Sequence, residues 1–198
     1  MRTQLGILAL MLVAIPAQAQ NLVYQGYAWF EPQVAIEKSG ANKATTGEFF
    51  GTISMGQKLS PRFGLFLQSA HGNLWGETVF GPTLSLTPEL EVGAGIGIDH
   101  YAPRLMRLRL NSYWDHQRTD SFIYTQIDFG KTGNWAWMDG ARMFGAIGIG
   151  GLLQMPGGGV GPKVELRVGK VGFWVAPVYE WEEKTTRMLV GSRFMFDW

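Results

Sequence analysis

Hydrophobic residues recur at every second position along most of this chain. Three segments show the alternation most clearly, each with one almost purely apolar face and one face of charged, amide or glycine residues: 90–99, 106–111 and 160–169. Successive side chains of a β-strand point to opposite faces, so a period of two is typical of strands with one apolar side. No segment after residue 19 keeps a helical period. The pattern therefore predicts an all-β chain.

Turn residues divide the alternating runs into about twelve predicted strands. Ser60-Pro61 and Thr87-Pro88 mark two similar turns, each followed by another alternating run. The predicted strands cover 22–38, 47–58, 62–71, 76–86, 89–100, 104–114, 120–130, 134–142, 145–154, 160–168, 172–181 and 186–198. An even count places both termini and the two proline turns at one end, and the longer connections 39–46 and 155–159 at the other. Ten strands fit if 134–154 forms a single bent hairpin arm or if one pair does not cross the membrane, and eight fit less well.

The first 19 residues have the parts of a secretory signal peptide. Arg2 supplies a positive start, an apolar run follows over 5–15, and Ala17-Gln18-Ala19 offers small residues to a signal peptidase. The apolar run is shorter than the ~20 residues that a membrane-spanning helix needs. We therefore expect export and cleavage, which leaves residues 20–198 as a single domain.

Composition narrows the classes of fold and function. The chain has no cysteine, which excludes disulfides and thiol chemistry. Without Arg2, the 16 acidic residues are matched by as many basic ones, and a neutral chain is not expected to bind nucleic acid. The 27 glycines favour a barrel over a secreted β-sandwich, because inward glycines leave room for long side chains from the opposite wall of a narrow ring. Aromatic residues near the predicted strand ends fit the girdles of membrane barrels.

The final predicted strand carries Phe194, Phe196 and Trp198 on one face. This strand resembles the terminal strand of bacterial outer-membrane β-barrel proteins. The resemblance implies an antiparallel up-and-down transmembrane β-barrel in the cell outer membrane, surrounded by outer-membrane lipids. It also implies that these three residues form the membrane-assembly signal that the barrel assembly machinery recognises.

Charged residues on the polar faces of the strands are expected to line the lumen. The candidates are Glu91, Asp99, Arg107, Arg109, Asp128, Lys163, Glu165, Arg167 and Arg193. Acids on one strand can pair with arginines on the next. A path for small polar solutes is one interpretation. The other is that the mixed charges neutralise each other and fill the interior, as side chains do in small barrels, and the mixture of signs favours this second interpretation.

Residues that could support catalysis are few. Ser69 and His71 share a strand face near a rim, and Glu77 lies across the following turn, so a serine–histidine–acid relay is conceivable. The histidines lack metal-ligand spacing, and no cofactor motif is present. We therefore expect no enzyme, metal or cofactor, but a passive outer-membrane barrel that acts as a small channel or a structural membrane component. The alternatives are a lipid-modifying enzyme that uses Ser69 and His71, and a soluble β-sandwich binding protein.

Overall fold

The strands of this chain form one hydrogen-bonded ring. A computed structural model describes residues 26–37, 46–72, 75–100, 106–131, 133–155, 159–181 and 184–197. These ranges contain twelve strands and a short 3₁₀ helix, Gln117–Thr119. The strands are β1 (Gly26–Glu37), β2 (Thr46–Lys58), β3 (Phe63–Gly72), β4 (Gly76–Ser85), β5 (Leu90–Asp99), β6 (Met106–His116), β7 (Ser121–Gly130), β8 (Trp135–Phe144), β9 (Ile147–Met155), β10 (Val160–Val168), β11 (Val171–Glu180) and β12 (Thr185–Asp197).

The ring closes because β1 pairs with both β2 and β12. Each strand is antiparallel to its neighbours in sequence, and β1 meets β12 in the register Tyr27 opposite Asp197. Closure leaves no strand edge unpaired. The predicted up-and-down barrel of about twelve antiparallel strands is confirmed, and the soluble β-sandwich is wrong. The expected signal peptide and Trp198 lie outside the described residues, as do residues 22–25 of the first predicted strand.

The two ends of the barrel differ in their connections. We call the end that holds Gly26 and Asp197 the terminal end. It carries the turns that follow β2, β4, β6, β8 and β10. At two of these turns a hydroxyl holds the backbone: Ser60 Oγ accepts from the Phe63 amide at 2.9 Å, and Thr87 Oγ1 accepts from the Leu90 amide at 3.0 Å. The predicted similarity of the two proline turns is confirmed. The opposite end, here called the loop end, carries the remaining connections.

The turn between β8 and β9 is the one that the sequence marks most weakly. Two residues, Gly145 and Ala146, join the strands, and Gly145 has a φ of 65°. Glycine adopts this left-handed conformation without steric cost and is favoured in two-residue hairpin turns. This two-residue turn, with its one glycine, separates β8 from β9. The interpretation of 134–154 as one bent arm is therefore wrong.

Alternation places apolar residues outside the ring and mixed residues inside. Ile96, Met106 and Val168 are 61%, 71% and 64% exposed on the outer face. On the inner face, a Cβ on Gly95 would lie 2.7 Å from Phe66 Cζ, so glycine makes room there for a side chain of β3. The space serves a nearby strand of the same wall, and not the opposite wall as expected from the sequence. No helix among the described residues is long and apolar enough to cross a membrane.

Replacing Gly145 with alanine should destabilise the barrel by about 1 kcal/mol, because the positive φ penalises any Cβ. No atom lies within 4 Å of the position that this Cβ would take, so packing adds nothing to the cost. Urea unfolding of the refolded protein in lipid vesicles measures the change. Gly151→Ala is the matched control, since its Cβ would meet only a carbonyl oxygen at 3.5 Å. Equal losses in the two variants would contradict this account of the turn.

Candidate functional site in the barrel interior

The interior is crossed by a contact between opposite walls. Trp29 on β1 and Tyr124 on β7 lie six strands apart in the ring of twelve, and their ring centroids are 5.5 Å apart in an edge-to-face arrangement. The single hydroxyl proton of Tyr124 has two acceptors within reach, Gln68 Oε1 at 3.0 Å and Gln126 Oε1 at 2.7 Å. Such an aromatic pair contributes more stability than the burial of its apolar area alone. We call this layer the waist of the barrel.

A first ion cluster lies on one side of the waist. The guanidinium of Arg109 is fully buried and donates to Asp128 at 2.6 Å and to Gln68 at 2.7 Å. It also contacts the carboxylate of Glu77 directly. Arg107 lies 3.3 Å from Glu77 and 3.6 Å from Asp99. The expected pairing of acids with arginines on neighbouring strands occurs here between β5 and β6 and between β6 and β7.

A second ion cluster lies beside the waist, among β1, β8, β10 and β12. Arg193 on β12 donates to Glu31 on β1 at 2.8 Å and to Asp139 on β8 at 2.7 Å. Lys163 donates to both oxygens of Asp139, at 2.7 and 2.8 Å, and lies 3.2 Å from Glu165. Because β8 and β12 are four strands apart, this cluster also spans part of the lumen. Arg193 lies over the ring of Trp29 at 5.1 Å in addition, which joins the cluster to the waist.

The remaining lumen candidates lie closer to the terminal end. Arg167 contacts Glu165 at 3.1 Å. Glu91 pairs with Lys58 of β2, three strands away, and not with an arginine of β6. All nine charged residues that the sequence assigns to the lumen therefore lie on the inner face, in ion pairs.

Three members of the waist and the second ion cluster escaped the sequence reasoning: Trp29, Glu31 and Asp139. On β1 the inner face carries Tyr27 and Trp29 while the outer face carries Phe30, so both faces look apolar and alternation hides the polar one. Asp139 alternates with outward Met138 and follows inward Trp137. Counting every second residue along β8 from Trp137 would have assigned Asp139 to the lumen.

Space inside the barrel is distributed unevenly. On the terminal side of the waist lie two cavities of about 340 and 130 Å³, which share Trp29, Tyr113 and Met195 in their walls. On the loop side, the cavity that Trp29 and Tyr124 also line is about 30 Å³, which is room for a single water molecule. Apolar side chains fill much of that side, and Ala176, Val178 and Leu189 are 2% exposed or less. Among the cavities that described residues line, the space is thus concentrated toward the terminal end, and the smallest cavity lies toward the loop end.

Ser69 and His71 face outward on β3, away from the lumen. Ser69 Oγ lies 2.9 Å from His71 Nε2 and 2.8 Å from Thr78 Oγ1, and Thr78 Oγ1 lies 2.7 Å from His100 Nε2. The two imidazoles stack with centroids 5.0 Å apart. The carboxylate of Glu77 points into the barrel in the first ion cluster, so it does not complete a relay. Ser69 is only 9% exposed, which leaves little room for a substrate at its hydroxyl.

Phe194 and Phe196 also face outward, near the terminal end of β12. The ring of Phe194 stacks on Phe30 of β1 with centroids 6.2 Å apart, across the seam where the barrel closes. Phe196 is 54% exposed. Among the described residues, no group of three histidine, cysteine or acidic side chains is arranged to hold a metal ion.

Solved structures of similar shape include bacterial outer-membrane porins. A KdgM porin matches with a TM-score of 0.53 at 12% sequence identity, over 85% of this chain and 99% of that chain. The chain has a porin-like fold. A KdgM porin in complex with disordered oligogalacturonate gives a TM-score of 0.52 at 13% identity, over 84% and 99% of the two chains. The outer membrane protein Omp33 of Acinetobacter baumannii gives 0.48 at 10% identity, over 87% and 98%.

The similarity to porins is one of fold. No protein-family model matches the sequence, and no curated protein matches it. At identities near 12%, residue roles do not carry over from one porin-like chain to another. The chemistry of the interior therefore has to be argued from this chain's own side chains.

Replacing Asp139 with alanine should destabilise the porin-like barrel by about 3–5 kcal/mol, because the change leaves Lys163 and Arg193 buried without this shared carboxylate. Urea unfolding in lipid vesicles provides the measurement. Asp197→Ala is the matched control, since its partner Lys170 and Asp197 itself are exposed at the terminal end, and we expect little change there. A small effect for Asp139→Ala would show that water reaches the second ion cluster.

Proposed function

We propose that this protein is a passive barrel of the cell outer membrane whose lumen is closed at the waist. The exposed apolar outer face supports a position in lipid, as do the porin-like fold and the signal peptide predicted over residues 1–19. The proposed orientation places the terminal end in the periplasm and the loop end outside, as in outer-membrane barrels with short periplasmic turns. Outer-membrane lipids are then the partner of the apolar face.

The observation that carries the proposal is the contact between Trp29 and Tyr124 across the full width of the barrel. An open pore leaves its lining side chains in contact with water. Here Arg109 and Asp128 are 0% exposed, and Asp139 and Glu165 are 1% exposed. Separating buried, hydrogen-bonded ion pairs is costly, so the two ion clusters beside the waist hold it closed.

A small channel is the second candidate, and the cavity of about 340 Å³ favours it. One of the solved porins of similar fold is a complex with oligogalacturonate. For this chain, the corresponding proposal is that small polar solutes pass through the barrel. Transport through this barrel requires Trp29 and Tyr124 to part. The closed form and the channel therefore differ in how often the waist opens, and not in architecture.

A passive role is favoured over lipid modification by the position of Ser69. Its hydroxyl is almost buried, and the acid that a relay needs lies on the inner face. We therefore expect that Ser69→Ala and His71→Ala leave the composition of outer-membrane lipids unchanged.

Planar-bilayer recordings of the refolded barrel should show no stable conductance. The double variant Trp29→Ala and Tyr124→Ala should conduct, because it removes both rings that meet at the waist. Trp114→Ala is the control, since Trp114 lies on the outer face of β6 and its loss leaves the lumen unchanged. A shift in gel migration on boiling verifies that each variant is folded.

Two results would count against the closed barrel. Stable conductance of the unaltered protein favours the channel. A silent but folded double variant shows that the closure lies elsewhere than at Trp29 and Tyr124.

The terminal strand should direct assembly in cells. Replacing Phe194 and Phe196 with alanine should lower the amount of folded barrel in the outer-membrane fraction several-fold, because these residues with Trp198 are the proposed assembly signal. The heat-shifted band on gels measures the folded amount. Met188→Ala with Val190→Ala, on the same outward face of β12, is the control, and an equal loss there would contradict a specific signal.

A further inference from the structure

The larger cavity, at the terminal end, has walls suited to a ring-shaped ligand. Its volume is about 340 Å³, within the range of about 300–1,000 Å³ for small-ligand pockets. Its lining includes four aromatic side chains of the inner face: Tyr27, Trp29, Tyr113 and Tyr124. Tyr27 is 39% exposed and Asp197 is exposed as well, so the cavity lies within reach of solvent at this end of the barrel.

Two buried polar atoms of residues that line the cavity lack hydrogen-bond partners among the described residues. They are Nε1 of Trp29, a donor, and Oδ1 of Asn111, an acceptor, and both atoms are buried. Buried polar groups are nearly always satisfied by protein, water or ligand. The hydroxyls of Ser54 and Thr83 line the same cavity and can donate or accept. The wall therefore offers hydrogen bonds of both kinds beside aromatic faces.

The charges around this cavity are compensated within the barrel. Glu91 forms an ion pair with Lys58, and Asp197 forms one with Lys170. An ionic ligand would have to compete with these existing pairs. A neutral ligand leaves both pairs intact.

We propose that this cavity binds a neutral carbohydrate of one or two rings. The C–H faces of a sugar ring are apolar and pack on aromatic side chains, while its hydroxyls both donate and accept hydrogen bonds. A purely apolar molecule would leave Trp29 Nε1 and Asn111 Oδ1 unsatisfied. The inference deepens the proposed function by naming a class of solute. It rests on the proposed function only for the route of the sugar, which enters from the periplasmic side.

Saturation-transfer NMR on the whole barrel in nanodiscs tests the proposal. The protein is refolded in a detergent without a sugar head group, so that no carbohydrate is carried over. The probes are glucose and maltose as neutral sugars, galacturonate as an anion, choline as a cation and indole as a neutral aromatic compound. We expect signals from glucose and maltose that exceed those of the other three.

Variants locate the site. Asn111→Ala should weaken maltose binding about three- to tenfold through loss of one hydrogen bond. Gln154→Ala is the matched control, because it removes an inward amide of β9 that does not line the cavity, and it should bind as the unaltered protein does. Ser54→Phe should abolish binding by filling the cavity, and its folding is checked by the shift in gel migration on boiling.

The outcomes separate this inference from the proposed closed barrel. Stronger binding of galacturonate, choline or indole than of maltose overturns it, as does absence of maltose binding or an equal effect of Asn111→Ala and Gln154→Ala. Because binding is measured without any current, maltose binding to a silent barrel supports both proposals. Maltose binding to a conducting barrel supports the site and overturns only the closed waist.

Discussion

The contact between Trp29 and Tyr124 sets the arrangement of the whole interior, because it joins strands on opposite sides of the ring. Once the two rings occupy the centre, the space that remains lies around them, and each ion cluster there contains one buried arginine. Arg109 and Arg193 lie in a water-poor environment where an unpaired charge is very costly. Each is surrounded by carboxylates from other strands. The aromatic contact thus keeps the two arginines away from water, and the carboxylates of the two ion clusters make that burial possible.

Buried ion pairs of this kind specify a structure more than they stabilise it. The desolvation of two charges offsets most of their attraction, and well-packed apolar residues often do as well. Asp139 illustrates the point, because it accepts hydrogen bonds from Lys163 and Arg193 on two different strands. An apolar side chain at this position could not fix the relative positions of those strands. The interior is therefore arranged to hold one shape.

The architecture could be predicted from the sequence because a period of two leaves little choice about which face is apolar. Parity also placed Arg109 and Arg193 inside. It could not predict the partners of Arg193, because Glu31 meets it across the seam where β1 pairs with β12 and Asp139 meets it from β8, four strands away, and no local pattern encodes either contact. The outward pair of Ser69 and His71 shows the opposite limit. Sequence spacing brought them together correctly, yet the position of Glu77 on the other face separates them from the acid.

The uneven filling of the barrel has a consequence for access from the two sides of the membrane. In the proposed orientation, a molecule in the surrounding medium meets packed side chains on the outer side of the waist. A molecule in the periplasm meets an open vestibule with aromatic walls. In that orientation the cavity of about 340 Å³ opens toward the periplasm, so a ligand bound there would respond to periplasmic concentrations.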